Sequence, residues 1–129
     1  MELIEALRRV KDSFNSYPLG RVAQAGATAS VRDDAYFRES CARVVAGREA
    51  MTRELIRLGF AALPSSANFV FARHQARGGS EFAAALREHA ILVRHFNKPR
   101  TASYLRITVG TEHDTQRLIA AAAHILRHE

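Results

Sequence analysis

The sequence predicts an α+β fold in which helices lie over a small sheet. Three observations carry that reading. Apolar residues return at steps of three and four through several segments, the pattern of helices with one buried face. Four short apolar runs, bounded by Pro, Ser, Gly and Asn, read as strands. The order is three helices, two strands, a helix, two strands and a helix, with no internal repeat or low-complexity tract. A chain of 129 residues, 47% hydrophobic and 25% charged, suits one domain with a real core.

Residues 2–11 form the first helix, with Leu3, Ile4, Leu7 and Val10 on one face. The stretch DSFNSYPLG then breaks it with Asn, Ser, Pro and Gly. RVAQAGATAS is a short Ala-rich helix interrupted by Gly26. The longest periodic element runs from Asp33, an expected N-cap, to Leu58. Phe37, Cys41, Val44, Val45, Met51, Leu55 and Leu58 make its apolar stripe, and Gly59 ends it. FAALP and ANFVFAR follow as two strands. GGSEFAAALREHA opens with a glycine pair, takes Ser80 as its cap and becomes a helix. ILVRHF and SYLRITVG are strands joined by the loop NKPRTA. In the last helix Thr111 is the cap and Asp114 completes a variant of the capping box. Leu118, Ile119, Ala122, Ile125 and Leu126 form its core face.

The formal charge of +6 invites a nucleic-acid reading, but the 19 basic residues are scattered and no run interleaves them with aromatics. Cys41 stands alone, so no intramolecular disulfide framework is expected; within its helix it reads as a small buried thiol. No uncharged apolar stretch approaches the ~18 residues of a membrane span. MELIEALRRV is an acid-bearing amphipathic helix rather than a signal peptide. A cytoplasmic protein without nucleic-acid or membrane partners is the expectation.

No glycine pattern matches a P-loop or dinucleotide fingerprint, and a nucleophile elbow is absent. His124 and His128 have a spacing that metals use on helices, but no third ligand is evident, so no metal site is expected. His74, His89, His95 and His113 are scattered at loops and element ends. Asp33 and Asp34 start a helix rather than form a carboxylate dyad. The remaining candidates are two arginines on the last two strands. In YLRITVG, alternation puts Leu105, Ile107 and Val109 on one face and Tyr104, Arg106 and Thr108 on the other. Arg94 occupies ILVRHF. Each is either a solvated strand residue or a fixed guanidinium that binds a carboxylate or phosphate through its planar fork.

The segments VKDSFNSYPLGRVAQAGATAS, LPSSANFVFAR, ILVRHF and YLRITVGTEHDTQRLIAAAAHIL, in that order, resemble the C-terminal part of histidinol-phosphate aminotransferases over essentially the whole chain. LRITVGT before an acidic helix start is specific for this group without excluding close relatives such as threonine-phosphate decarboxylases and aromatic aminotransferases. The resemblance implies the small domain of the aspartate-aminotransferase fold type, helices on a mostly antiparallel sheet. Residues 1–19 would be the end of a preceding helix and its connection, and residues 20–129 the small domain. It implies that Arg106 binds the substrate carboxylate and Arg94 the second anionic group, with glutamate and histidinol phosphate as ligands. Asn15 and Tyr17 become contributors to domain closure. Pyridoxal phosphate is implied for the full-length, homodimeric enzyme of histidine biosynthesis. This chain lacks the Schiff-base lysine motif, so no catalytic residue is assigned and the isolated chain is expected to be inactive. A stand-alone anion-binding module or remnant is the alternative. One departure from the family pattern is local: Ala90 stands where a glycine usually ends the helix before ILVR in a left-handed turn. An alanine at positive φ costs on the order of 1 kcal/mol, so the turn is expected to differ locally while the strand survives.

Overall fold

The computed structural model describes residues 2–14 and 19–127. Asn15, Tyr17 and His128 lie outside the described residues. The chain divides into two compact units, residues 1–38 and 39–129.

In the first unit, α1 spans Glu2–Phe14 and α2 spans Arg21–Arg32. The apolar face foreseen for α1 exists as a stripe, but Leu3, Ile4, Leu7 and Val10 are all exposed. Gly26 does not stop α2, because an isolated glycine costs a helix only about 1 kcal/mol. Asp33 ends α2 and starts α3, which spans Asp34–Arg57. Its backbone N–H reaches the carbonyls of Ala29 and Ser30, while its carboxylate accepts from the Tyr36 N–H at 3.1 Å. That is the expected N-cap, satisfying one of the orphan donors of a helix start.

The second unit holds the sheet and the core. Strands β1 (Ala61–Ala62), β2 (Phe69–Arg73), β3 (Arg94–His95) and β4 (Leu105–Thr108) form one sheet in the order β1-β2-β4-β3, every pairing antiparallel. Helices α4 (Gly79–Glu88) and α5 (Glu112–Arg127) complete the order. The α+β reading with its antiparallel sheet is therefore observed. Val70, Ala72, Leu105 and Ile107 point to one face of the sheet and are buried with Met51 and Leu55 of α3, Phe82 and Leu86 of α4, and Leu118, Ala122 and Ile125 of α5. Phe69, Phe71, Arg106 and Thr108 alternate onto the other face. Among the described residues no helix is long and apolar enough to cross a membrane.

Two helix ends share one hydrogen-bond motif. At the end of α3 the Phe60 N–H reaches the Leu55 carbonyl at 3.0 Å and Gly59 reaches Ile56 at 2.9 Å. At the end of α4 Ile91 reaches Leu86 at 3.0 Å and Ala90 reaches Arg87 at 2.9 Å. Both are Schellman caps, which need a left-handed residue at the second position. Gly59 supplies it at φ 87° and Ala90 at φ 57°, so the left-handed turn is kept despite the alanine and the expected local difference is not seen. The cap of α5 is also the expected one. The Asp114 N–H donates to the Thr111 hydroxyl oxygen at 3.2 Å, and the Thr111 N–H donates back to the Asp114 carboxylate at 2.9 Å. The Thr111 hydroxyl donates to the same carboxylate at 2.7 Å.

Three further expectations are corrected. Ser80 does not cap α4: the helix begins at Gly79, after Gly78 in extended backbone, with no side-chain cap. A side chain at position 79 would come within 2.7 Å of the Ala102 carbonyl oxygen, so Gly79 lets the helix start lie close to that loop, ahead of the serine. Only the second part of the α3 stripe is buried, at Met51 and Leu55; Phe37, Cys41 and Val45 are exposed, and the thiol is not a core group. ILVRHF contributes just Arg94 and His95 to the ladder. The Ile91 N–H is taken by the α4 cap, and β3 lies at the sheet edge with a partner on one side.

Candidate functional site

Arg94 and Arg106 are direct partners in the antiparallel register of β3 and β4. Residues paired this way project to the same side of a sheet, about 5 Å apart at Cβ. Both side chains therefore rise from the face opposite the core. They line one open cleft of about 620 Å³ that runs round the β3 edge of the sheet toward α4, where Ala83 and Arg87 also line it.

The surroundings of the two guanidiniums are aromatic rather than acidic. The Arg106 guanidinium carbon lies 5.2 Å from the ring centre of Phe69 and 5.7 Å from that of Phe96. Arg94 lies 5.0 Å from the Phe96 ring. Phe71 stacks on Phe96 with centroids 6.2 Å apart and planes 10° from parallel, and Arg73 sits over Tyr104 at 5.3 Å. Among the described residues neither Arg94 nor Arg106 forms an ion pair; the ion pairs join helical residues such as Arg38 with Asp34 and Arg57 with Glu54.

The Nε of Arg106 is buried and has no hydrogen-bond partner among the described residues. Burying a charged donor without a partner costs free energy, and native structures rarely leave one so. Like charges placed opposite each other on paired strands also repel. Arg94 is exposed, as a solvated strand residue would be, whereas Arg106 is only partly so. What this arrangement can do chemically is hold an anion. Each guanidinium offers parallel N–H donors along its edge, the geometry that a carboxylate or phosphate matches.

The other singled-out residues do not join this cleft, with one exception. His95 lines it, but its Nε2 is engaged with the Ala102 carbonyl at 2.8 Å, tying β3 to the following loop. His74 packs against Phe60, with centroids 5.0 Å apart, and His89 meets His124 at 5.2 Å. Lys11 on α1 and Lys98 in the β3–β4 connection are exposed. Three features were not read from the sequence. Arg87 hid among helix residues, with nothing in its spacing to tie it to a strand. Phe96 reads, from sequence alone, as one more residue of an apolar strand. Phe69 and Phe71 could have been found, because alternation in NFVFAR opposes them to Val70 and Ala72.

Comparison with known proteins places these residues in a context. The family description Aminotransferase class I and II matches residues 1–125. The chain is 57% identical over 124 residues to histidinol-phosphate aminotransferase 2 of Rhizobium meliloti, covering 96% of this chain and 35% of that protein. It is 59% identical over 120 residues to histidinol-phosphate aminotransferase 2 of Thiobacillus denitrificans, covering 92% of this chain and 34% of that one. The chain thus spans about a third of the length of the curated relatives it matches. Two solved structures share its fold. The histidinol-phosphate aminotransferase from Clostridium acetobutylicum has a TM-score of 0.81 at 21% identity, over 97% of this chain and 39% of that one. That from Sinorhizobium meliloti, in complex with pyridoxal-5'-phosphate, has a TM-score of 0.77 at 23% identity, over 92% and 33%.

Proposed function

The chain belongs to the aminotransferase class I and II family, and from that premise we propose that it is the small domain of a histidinol-phosphate aminotransferase, where it recognises substrate anions. The whole enzyme would exchange an amino group between glutamate and histidinol phosphate, in the cytoplasm and as a homodimer. Arg106 binds the carboxylate and Arg94 the phosphate. Residues 1–19 belong to the connection with the larger remainder of the enzyme, where Asn15 and Tyr17 contribute to closure over substrate.

The observation that carries the reading is the Arg94–Arg106 pair: two guanidiniums on one face, in one cleft, without an acidic partner among the described residues. A donor at Nε that is buried and unpartnered supports a ligand-facing role for Arg106 over a solvated one. The two anionic groups of the proposed substrates give both arginines a use.

Pyridoxal phosphate would be the cofactor of the whole enzyme, acting as the electron sink of amino transfer. This chain lacks the Schiff-base lysine motif, so the cofactor's main contacts would come from the rest of the enzyme. Lys11 and Lys98 are exposed and neither lines the Arg94–Arg106 cleft. No catalytic step is assigned to this chain, whose part is to bind, to orient and to help exclude water.

The test uses the full-length enzyme. Arg106→Ala should lower kcat/KM for glutamate about 100-fold, roughly 3 kcal/mol of lost transition-state binding. Arg94→Ala should cost histidinol phosphate more than glutamate. Losses below twofold for both variants with both substrates would remove the assignment. The alternative of an independent anion-binding module draws on the fact that both arginines line a cleft within one unit. Tight, saturable phosphate binding by the 129-residue chain would favour it.

A further inference from the structure

We infer that Phe96 is a positioning residue for both anion-binding arginines, an aromatic platform that holds two like charges side by side so that one ligand can meet them. The inference rests on the anion-binding reading of Arg94 and Arg106.

Phe96 is the ring that the two guanidiniums share, at 5.0 Å from Arg94 and 5.7 Å from Arg106. The negative face of a benzene ring attracts a cation through its quadrupole. A single ring that attracts both guanidiniums offsets part of their mutual repulsion without adding an opposing charge. A carboxylate in that place would neutralise the arginines and compete with the ligand. A phenyl ring does neither. It accepts no hydrogen bond from them, so the N–H donors that bind an anion are not used up.

The ring is itself held. Phe71 of β2 stacks on it, nearly parallel. The Phe96 carbonyl accepts from the Lys98 N–H at 2.8 Å and from the Thr101 hydroxyl at 3.2 Å, which fixes the backbone just past β3. Phe69 holds Arg106 from a second ring at 5.2 Å. The unpartnered, buried Nε of Arg106 is the donor that such a platform would keep oriented before a ligand arrives.

The experiment follows the arginine Nε–H resonances of the 129-residue chain by NMR while inorganic phosphate is added. Arg106 should show a ring-current-shifted Nε–H signal that moves on titration. Phe96→Leu should shift that signal and weaken phosphate binding about tenfold, the scale of two cation–π contacts, while the core amide signals stay dispersed. Phe96→Tyr should keep both the shift and the affinity, as loss of mere bulk would not explain. Should Phe96→Leu lose its dispersed spectrum, Phe96→Met carries the same comparison. An affinity within twofold of the parent in the non-aromatic variant, with Arg106→Ala losing binding, would overturn the role of Phe96 and leave the anion-binding reading standing. No loss of affinity in Arg94→Ala and Arg106→Ala would sink the reading and this inference together, whereas a parent chain whose Arg106 signal does not move with phosphate overturns this inference and leaves the reading to the full-length kinetics.

Discussion

The two faces of the sheet are built from the same strands and do opposite things. On β4, Leu105 and Ile107 are sealed under the helices, while Arg106 and Thr108, one residue away, belong to the opposite face, where the arginines meet aromatic rings. The covered face holds the fold by removing apolar surface from water. The open face keeps charge where charge is locally unfavourable. The difference teaches that stability and binding are here separated by the two-residue period of a strand, so substitutions at neighbouring positions should have unrelated consequences.

The largest effect that would break this contrast is on the covered face. Leu105→Ala should destabilise the chain by about 3 kcal/mol, as loss of a fully buried leucine does. Arg106→Ala, its neighbour, should shift the melting temperature little or upward. Comparable losses in thermal denaturation would show that the open face also carries the fold. A smaller effect comes from the two helix ends that brace the covered face. Ala90→Gly should add about 1 kcal/mol by relieving a left-handed alanine. Gly59→Ala should cost at least that much, because its methyl would also come within 3.1 Å of the His74 ring. Urea denaturation of the pair would measure both, and phosphate affinity should change in neither.

The smallest effect is electrostatic. The Thr111 hydroxyl, and then its N–H, hold the Asp114 carboxyl below the usual aspartate range. A carboxyl depressed in the folded state stabilises it fully above the unfolded value, and that contribution fades as pH falls through the folded value. Thermal melts of Asp114→Asn should therefore match the parent most closely in strong acid and fall below it toward neutrality. Parallel curves across that range would remove the cap's electrostatic part.

Much of the fold was legible because its signals are local. The helix caps at Asp33 and Thr111 and the end at Gly59 each depend on a few adjacent residues whose geometry the chain repeats wherever that chemistry occurs. The failures were decisions made by neighbours distant in sequence. Ser80 had the right chemistry for a cap, but the loop at Ala102 drew the helix start to the glycines. Phe37, Cys41 and Val45 follow the helical period, yet periodicity says which residues share a face and not whether anything covers it. The site was half legible for the same reason. Alternation placed Arg106 on the non-core face, but Phe96 takes its place beside both arginines only through the packing of Phe71 and the turn after β3.

Gly79 shows how far the influence of an absent atom extends. A Cβ there would meet the Ala102 carbonyl oxygen, the Ser103 backbone and the ring of His95, all within 3.2 Å. Those residues belong to the loop that carries the chain from Arg94 round to Arg106 and to the strand that bears Arg94. A methyl at that point would act as a wedge between helix and loop. The displacement would be felt in the spacing of the two charges, so the reach of an anion-binding pair is set partly by a residue with nothing to reach with.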